Sequence, residues 1–113
     1  MRKGKIASQV AHASLGAILK SRKTLNKSEL VIASNEYIEA WLNGPFTKIV
    51  VKCDSLDELL ALEQACLRND VRHCKITDAG NTVFDGVPTV TCLAVGPDDE
   101  NKINQITSHL QLL

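Results

Sequence analysis

The sequence contains few aromatic residues and no long apolar run. Phe, Trp and Tyr make up 4% of the 113 residues, and no stretch approaches the roughly 20 apolar residues that a membrane-crossing helix needs. Repeats and low-complexity tracts are also absent, and the chain does not open with a charged leader and an apolar centre. These absences argue against a transmembrane, repetitive or disordered protein, and we expect a cytoplasmic protein that contacts no membrane.

The cysteines form no Cys-x-x-Cys pair. Cys53, Cys66, Cys74 and Cys92 lie 13, 8 and 18 positions apart, and three of them stand in apolar segments. Closely spaced cysteines are the usual signature of structural zinc, and disulfides are rare in the cytosol. We therefore predict buried reduced thiols and no metal site, with a disulfide or zinc as the alternative.

Negative charge is missing from the first part of the chain, although the net charge of the whole chain is zero. No acidic residue precedes Glu29, whereas the remaining 85 residues carry thirteen acidic and six basic side chains. The asymmetry favours one basic face that holds a phosphate-bearing partner locally. A solvated helix surface is the alternative, and charge alone does not decide between the two. The early basic residues are Arg2, Lys3, Lys5, Lys20, Arg22, Lys23 and Lys27.

Patterning along the chain predicts four helices and three strands. Ser55 and Glu58 form a capping box that starts the third helix, and the β-branched runs FTKIVVKC and TVTCLAV are typical of buried strands. The sequence predicts a single α/β domain over residues 1–113, with a small mixed sheet sandwiched between helices in three layers. The predicted helices cover 5–20, 28–43, 56–69 and the segment after 98, and the predicted strands cover 46–53, 71–77 and 89–95.

The first predicted helix, within MRKGKIASQVAHASLGAILK, has two different sides. At about 100° per residue, small and apolar side chains fill one broad arc, which we expect to pack on the sheet. Lys5, Gln9, His12 and Gly16 fall within another arc of about 60°. The three polar side chains of this second arc either are ordinary solvated positions or line a site.

A second group of polar residues follows the strand 71–77. Asp78 stands at the end of that strand, where α/β sheets border the crevices in which ligands bind. Gly80 permits a tight or left-handed turn that would direct Thr82 into the same crevice. The connection 78–88 is long for a small domain, which favours a functional loop. Asp78 could instead only cap this turn through its own side chain.

A resemblance to a known family rests on three segments in this order: GKIASQVAHASLGA (4–17), ITDAGNT (76–82) and TVTCLAVGP (89–97). Together they resemble the archaeal and eukaryotic type II peptidyl-tRNA hydrolases. The strand FTKIVVKC and the terminal KINQITSHLQLL match in order and spacing as well, so the resemblance covers essentially the whole chain. It implies an enzyme that cleaves the ester between a peptide and the 3′ ribose of tRNA, with no metal or organic cofactor. It also implies peptidyl-tRNA as the partner and a possible homodimer.

The resemblance places the family's functional residues on Lys5, Gln9, His12, Asp78 and Thr82. Ester hydrolysis needs an activated water, a donor for the oxyanion and a proton for the departing oxygen. Asp78 could orient and partly deprotonate water, and Lys5 could stabilise the developing negative charge. Thr82 and Gln9 could position water or substrate, while His12 could carry a proton or make a polar contact. Lys5 and His12 could also be ordinary surface and structural side chains.

Basic residues flank this arc at both ends of the first helix. We predict that they contact tRNA phosphates, a mode of binding that favours shape and charge over base sequence. A competing function is a non-catalytic module on the same scaffold, which binds RNA or protein. The predicted phosphate contacts are Arg2, Lys3, Lys20, Arg22 and Lys23.

One segment of the family pattern has no counterpart in this sequence. Members of the family begin with a hydrophobic strand before the Gly-Lys-Ile helix, whereas only Met1, Arg2 and Lys3 precede Gly4 here. That strand is expected to lie centrally in the sheet, so we expect backbone groups without partners, at about 1 to 3 kcal/mol for each buried one. A start codon assigned too far downstream, pairing with another chain, or a different filling of the gap would account for the difference.

Overall fold

The computed structural model describes residues 1–80 and 86–113, which form four helices and six strands. The α/β fold class is confirmed, and the predicted helices 5–20 and 56–69 and the predicted strand 89–95 are present. In chain order the elements are α1 (Lys3–Leu19), β1 (Arg22–Thr24), β2 (Leu30–Ile32), α2 (Glu36–Asn43), β3 (Val51–Lys52), α3 (Leu56–Arg68), β4 (His73–Asp78), β5 (Thr89–Val95), α4 (Glu100–Thr107) and β6 (Gln111–Leu112).

The strands pair as three short antiparallel ladders in the described part of the chain: β1 with β2, β3 with β6, and β4 with β5. The number of strands therefore differs from the predicted three. The added strands β1, β2 and β6 have two or three residues each, too few for a clear alternation of apolar and polar side chains.

The second predicted helix is only half correct. Residues 30–32 form β2, and the helix begins after Asn35, whose side-chain oxygen accepts hydrogen bonds from the Tyr37 and Ile38 backbone N–H groups. An asparagine at this position satisfies two donors that a helix start otherwise leaves unpaired. Capping by Asn35 therefore marks the helix start better than the apolar pattern does.

The predicted strand 46–53 is mostly absent as a ladder, because only Val51–Lys52 pairs with another strand. Its partner β6 offers just two residues. Phe46 has a φ of 56°, a left-handed conformation that does not continue a strand. The β-branched composition of FTKIVVKC was a correct sign of strand preference, but a ladder extends only as far as its partner does.

The β4–β5 ladder lies between helices, as the three-layer prediction requires. Cys74 and Ile76 of β4 lie under Gly16 of α1, whereas Lys75 between them forms an ion pair with Glu63 of α3 at 3.2 Å. Successive residues of a strand point to opposite faces, so α1 and α3 cover opposite faces of this ladder. Below α3, the core consists of Cys66, Val71 and Ile106 with Val95 packed against them.

Gly16 determines how closely α1 approaches β4. A Cβ atom at this position would lie 2.8 Å from the Cys74 Sγ, closer than real Cβ atoms come to a neighbour. The absence of a side chain therefore lets the helix rest directly on the strand. This close approach brings the side chains of α1 within reach of the residues at the end of β4.

The sheet-facing side of α1 is narrower than the predicted apolar arc. Gln9, Ala13, Ala17 and Ile18 are its buried residues, whereas Ala7 and Ala11 of the arc are exposed. The prediction that the whole arc packs on the sheet is therefore wrong. Other members of the arc, among them Ile6, Val10 and Ala11, line an open apolar groove.

Candidate active site

Asp78 and Lys5 form an ion pair where the end of β4 meets the first turn and a half of α1. The Lys5 Nζ lies 3.0 Å from the Asp78 Oδ1, and the two side chains are only 14% and 15% exposed. Gln9, one helical turn later, directs its Nε2 at the same Oδ1 over 3.5 Å. The helical spacing of four residues thus puts an ammonium and an amide over one carboxylate.

The second oxygen of Asp78 holds the turn that follows the strand. The backbone N–H of Gly80 donates to the Asp78 Oδ2 at 2.9 Å. Asp78 therefore caps this turn and also faces Lys5. A carboxylate accepts about four hydrogen bonds, which leaves room for a water or a substrate donor beside the three donors described here.

Gly80 has the left-handed backbone that the sequence analysis predicts, with a φ of 84°. A Cβ atom there would lie 2.5 Å from the Val87 N, and the Gly86 N–H donates to the Gly80 carbonyl oxygen at 2.7 Å. Only glycine fits at this close approach of two chain segments. Gly80 therefore holds the end of β4 next to Gly86 and Val87.

Thr91 is a site residue that the sequence analysis missed. Its Oγ1 donates to the Gln9 Oε1 at 2.7 Å, and the Cys92 Sγ donates to the Gln9 backbone oxygen at 3.2 Å. Neighbouring strand residues normally point to opposite faces, but the register of β4 and β5 shifts between Ile76 and Thr77. This bulge lets both Thr91 and Cys92 face α1, and a strict alternation in the sequence could not indicate it.

The contacts of Gln9 determine the direction of its amide. Gln9 is 4% exposed, and its Oε1 accepts from Thr91, so its Nε2 points to Asp78. Burial raises the pKa of the Cys92 thiol, which keeps it protonated and able to donate at neutral pH. Thr91 and Cys92 are thus positioning residues that hold the amide against the carboxylate.

Hydrogen bonding lowers the pKa of the Asp78 carboxyl. The largest contribution is the hydrogen bond from Lys5, followed by the one from the Gly80 backbone N–H. Donors to a carboxylate favour its charged form. Asp78 is therefore a fully ionised acceptor at neutral pH, better suited to orienting a donor than to storing a proton.

One other predicted site residue of the described part is not joined to this cluster. His12 is exposed on α1, and the structure gives it no hydrogen bond to Asp78 within residues 1–80 and 86–113. Thr82 falls outside the described residues. The structure thus brings together Lys5, Gln9 and Asp78 of the predicted set.

The predicted phosphate contacts lie at the two ends of α1. Arg2 and Lys3 are exposed at its N-terminal end, near Lys5. At the other end the Lys20 Nζ donates to the His73 carbonyl oxygen, and the Arg22 guanidinium donates to the Leu19 carbonyl oxygen at 3.1 Å. Lys20 and Arg22 therefore also satisfy backbone oxygens near the helix end, whereas Lys23 is exposed in β1.

The four cysteines are free, and Cys66 is completely buried. Cys53, Cys74 and Cys92 are only half-buried, so the prediction of buried thiols is correct for Cys66 alone. Burial raises the pKa of its thiol to about 11. Among the described residues, no group of three or more His, Cys, Asp or Glu side chains could hold a metal ion. The same part of the chain has no helix with the length and apolarity needed to cross a membrane.

Comparison with known proteins gives this geometry a family. The family model of peptidyl-tRNA hydrolase PTH2 matches residues 1–113. The chain belongs to the peptidyl-tRNA hydrolase PTH2 family. The Lys5–Asp78 pair, Gln9 and Thr91 all lie within the part that matches this family.

Archaeal relatives support the same assignment. A peptidyl-tRNA hydrolase of Methanopyrus kandleri is 38% identical over 113 residues, which are 100% of this chain and 88% of the relative. That of Sulfolobus acidocaldarius is 40% identical over 100% of this chain and 90% of its own length. The peptidyl-tRNA hydrolase of Methanothermobacter thermautotrophicus is 36% identical over 100% of this chain and 89% of its own length. Similarity to peptidyl-tRNA hydrolases thus extends over the complete sequence.

Proposed function

We propose that this chain hydrolyses the ester between a peptide and the 3′ ribose of tRNA, and that the Lys5–Asp78 pair performs the chemistry. The observation that supports this is the 3.0 Å contact between the Lys5 ammonium and the ionised Asp78 carboxylate. Both side chains are only partly exposed, and Asp78 lies beside the turn at Gly80. Such a pair places a hydrogen-bond acceptor and a cation where one water molecule can contact both. Family membership supplies the substrate class.

In the proposed reaction a water molecule attacks the ester carbonyl carbon. Asp78 accepts a hydrogen bond from this water and orients its oxygen, since the lowered pKa keeps the carboxyl ionised at neutral pH and hydrogen bonds to an ionised acceptor are the stronger ones. The carbonyl oxygen becomes an oxyanion, which the Lys5 ammonium stabilises. The bond between the carbonyl carbon and the ribose 3′ oxygen then breaks, and that oxygen takes up a proton that the water has lost.

Gln9 and Thr91 keep this arrangement in place in our proposal. The Thr91 hydroxyl donates to the Gln9 amide oxygen, and the Gln9 amide nitrogen donates to the Asp78 Oδ1. These two hydrogen bonds orient the carboxylate. Thr82 stays a proposed contact for water or for the substrate carbonyl, on the basis of the family pattern alone. His12 stays a proposed proton carrier or polar contact, although its exposure weakens that role.

The direct test of this activity is release of labelled peptide from peptidyl-tRNA by the purified chain. We expect multiple turnovers, and the same rate after dialysis against a metal chelator. Circular dichroism and the thermal transition of the same preparation establish that it is folded. A folded preparation that releases no peptide would contradict the proposed activity and leave a module that only binds.

We further propose that the exposed basic residues near the two ends of α1 bind tRNA phosphates. Arg2 and Lys23 make the cleanest probes, since Lys20 and Arg22 also hold backbone oxygens. In an Arg2→Glu, Lys23→Glu variant we expect the KM for peptidyl-tRNA to rise on the order of tenfold at low salt with kcat unchanged. The slope of log KM against log salt concentration should fall by about one for each lost contact.

The matched control for this charge reversal is Lys102→Glu on α4. Lys102 is also exposed, and its helix packs against α3, which covers the opposite face of the ladder from α1. The control should leave KM within about twofold, because charges beyond a Debye length are screened. An equal rise of KM in both variants would contradict this placement of the tRNA.

The homodimer and the cytoplasmic location also remain proposals, supported by the family resemblance. Sedimentation velocity over a range of protein concentrations tests the first of them. We expect one species of about twice the 12.3 kDa mass of the chain.

A further inference from the structure

The outer edge of β4, on the side away from β5, presents backbone hydrogen-bonding groups. In the part of the chain that the structure describes, β4 pairs with β5 alone. The Arg72 carbonyl oxygen accepts from the Gly96 N–H on the β5 side at 2.7 Å. Alternate residues of an antiparallel strand direct their backbone groups to the same edge, and the extra residue of the bulge belongs to β5. Lys75 and Thr77 therefore direct their N–H and C=O groups to the outer edge.

This edge begins at the candidate active site and is closed by a lysine at its other end. Asp78 is the last residue of β4 and holds its carboxylate against Lys5. At the start of β4, the His73 carbonyl oxygen also points outward, and it accepts a hydrogen bond from the Lys20 Nζ. The two outward residues between these ends are exposed. The open part of the edge is therefore short and adjoins the site.

The helices on the two faces of β4 leave this edge accessible. His12 lies about 40° from Gly16 around α1, on the flank away from β5, and it is exposed. On the opposite face the Lys75 ammonium lies 3.2 Å from the Glu63 carboxylate of α3. Charged side chains often guard edge strands against pairing with other chains. The ion pair instead holds the Lys75 side chain beneath the strand, so that it does not cross the edge.

We propose that the outer edge of β4 binds the peptide of the substrate as an added parallel strand. The inference rests on the proposed function, which puts the ester carbonyl, and with it the C-terminal residue of the peptide, beside Asp78. Because β4 ends at Asp78, a strand that follows its edge from there runs back toward His73, and its direction is that of β4. Pairing through the main chain holds peptides of any sequence.

The pairing assigns a role to each backbone group of the peptide. When the C-terminal residue is level with Asp78, Thr77 accepts from the N–H of that residue and donates to the C=O of the third residue from the ester. Lys75 accepts from the N–H of this third residue and donates to the C=O of the fifth. The N–H of the second residue points away from β4. A longer peptide gains no further bond, because Lys20 occupies the His73 carbonyl oxygen.

Binding of non-hydrolysable substrates by the complete chain tests the proposal. The probes are peptidyl-tRNA analogues in which a 3′ amide replaces the ester, with N-acetylated peptides of one, three, five and seven residues. We expect the Kd, measured by fluorescence anisotropy, to fall at least about tenfold from one to five residues, since further hydrogen bonds form. The Kd should then level off between five and seven residues. A Kd that does not depend on peptide length would overturn the proposal.

Two N-methylated analogues of the five-residue probe locate the contact. A methyl group on the nitrogen of the third residue from the amide link removes the donor to the Lys75 carbonyl oxygen and should raise the Kd about tenfold. The same group on the second residue points away from β4 and should leave the Kd unchanged. The second analogue is the matched control, because both contain one tertiary amide. Equal Kd values for the two analogues would contradict the pairing.

Two variants test the same contact from the side of the protein. Lys75→Pro removes the outward N–H, which an edge strand tolerates, and should abolish the gain in affinity from three to five residues. Lys75→Ala loses the ion pair with Glu63 but retains the N–H, so it should keep that gain. If Lys75→Pro fails to fold, the N-methylated analogues decide with the unaltered chain. Slower amide exchange at Lys75 and Thr77 as the concentration of the unliganded chain rises would assign the edge to a second copy and overturn the proposal.

Peptide release from the ester-linked substrate, measured with the same preparation, separates this proposal from the proposed function. Release combined with equal Kd values for the two N-methylated analogues would refute the pairing and leave the proposed function intact. No release by a folded chain would refute the proposed function, whatever the Kd values show.

Discussion

We expect Asp78→Asn to lower kcat for peptide release by a factor on the order of 10² to 10³. The substitution removes the charge that orients the attacking water and balances Lys5, but it keeps the size of the side chain. Asn also retains an oxygen that can accept from the Gly80 N–H, so the turn after β4 should persist. The measurement is single-turnover release of labelled peptide, which separates chemistry from binding.

Asp54→Asn is the matched control for this variant. Asp54 is exposed in the segment before α3, where its backbone N–H rather than its side chain contacts Glu58. The control should retain full activity. Equal rates for Asp78→Asn and the unaltered chain would remove Asp78 from the proposed chemistry.

Lys5→Met should also lower kcat, by about a hundredfold, because the oxyanion loses its cation. It tests a second consequence of the ion pair as well. The hydrogen bond from Lys5 is the main reason that the pKa of Asp78 is lowered, so the pKa of this carboxyl should rise when the ammonium is absent. Carbon-detected NMR titration of the Asp78 carboxyl measures this rise directly.

The stability of the same variant should depend on pH in a defined direction. A carboxyl with a lowered pKa in the folded state contributes stability above its unfolded value of about 3.9, and this contribution is lost as pH falls through the folded pKa. The difference in free energy of unfolding between the unaltered chain and Lys5→Met should therefore be largest near neutral pH and should shrink below about pH 4. A difference that stays constant from neutral to strongly acidic pH would show that the pair does not stabilise the fold electrostatically.

The order and type of the long elements could be predicted because local signals mark them. The capping by Ser55 is an example: its Oγ accepts from the Glu58 N–H at 3.1 Å, and the Glu58 carboxylate reaches back to the Asp54 N–H at 3.0 Å. A seven-residue β-branched run likewise identified β5. The β1–β2 hairpin was missed, since three charged or polar residues followed by turn residues do not alternate.

Only part of the candidate site could be predicted from the sequence. A physical reason separates the residues that could be predicted from those that could not. Lys5 and Gln9 share one helix, so their common direction follows from the helical repeat. That Asp78 stands opposite them rested on the family resemblance, because 73 residues separate it from Lys5. The position of Thr91 could not be predicted, since the alternation of apolar and polar residues does not indicate a bulge that shifts the register. Thr82 lies outside the described residues, so its role stays a prediction.

By itself the sequence determined the fold class, the polar arc of α1 and the strand-ending Asp78, because these depend on contacts between near neighbours along the chain. Only the tertiary structure decided which side chains meet. The missing Cβ of Gly16 lets α1 rest on β4, and this approach brings Lys5 to within 3.0 Å of Asp78. The tertiary structure also decided that part of the apolar arc of α1 borders a groove rather than the sheet. Burial is a property of the surroundings, and a helical pattern states only which residues could be buried, not what covers them.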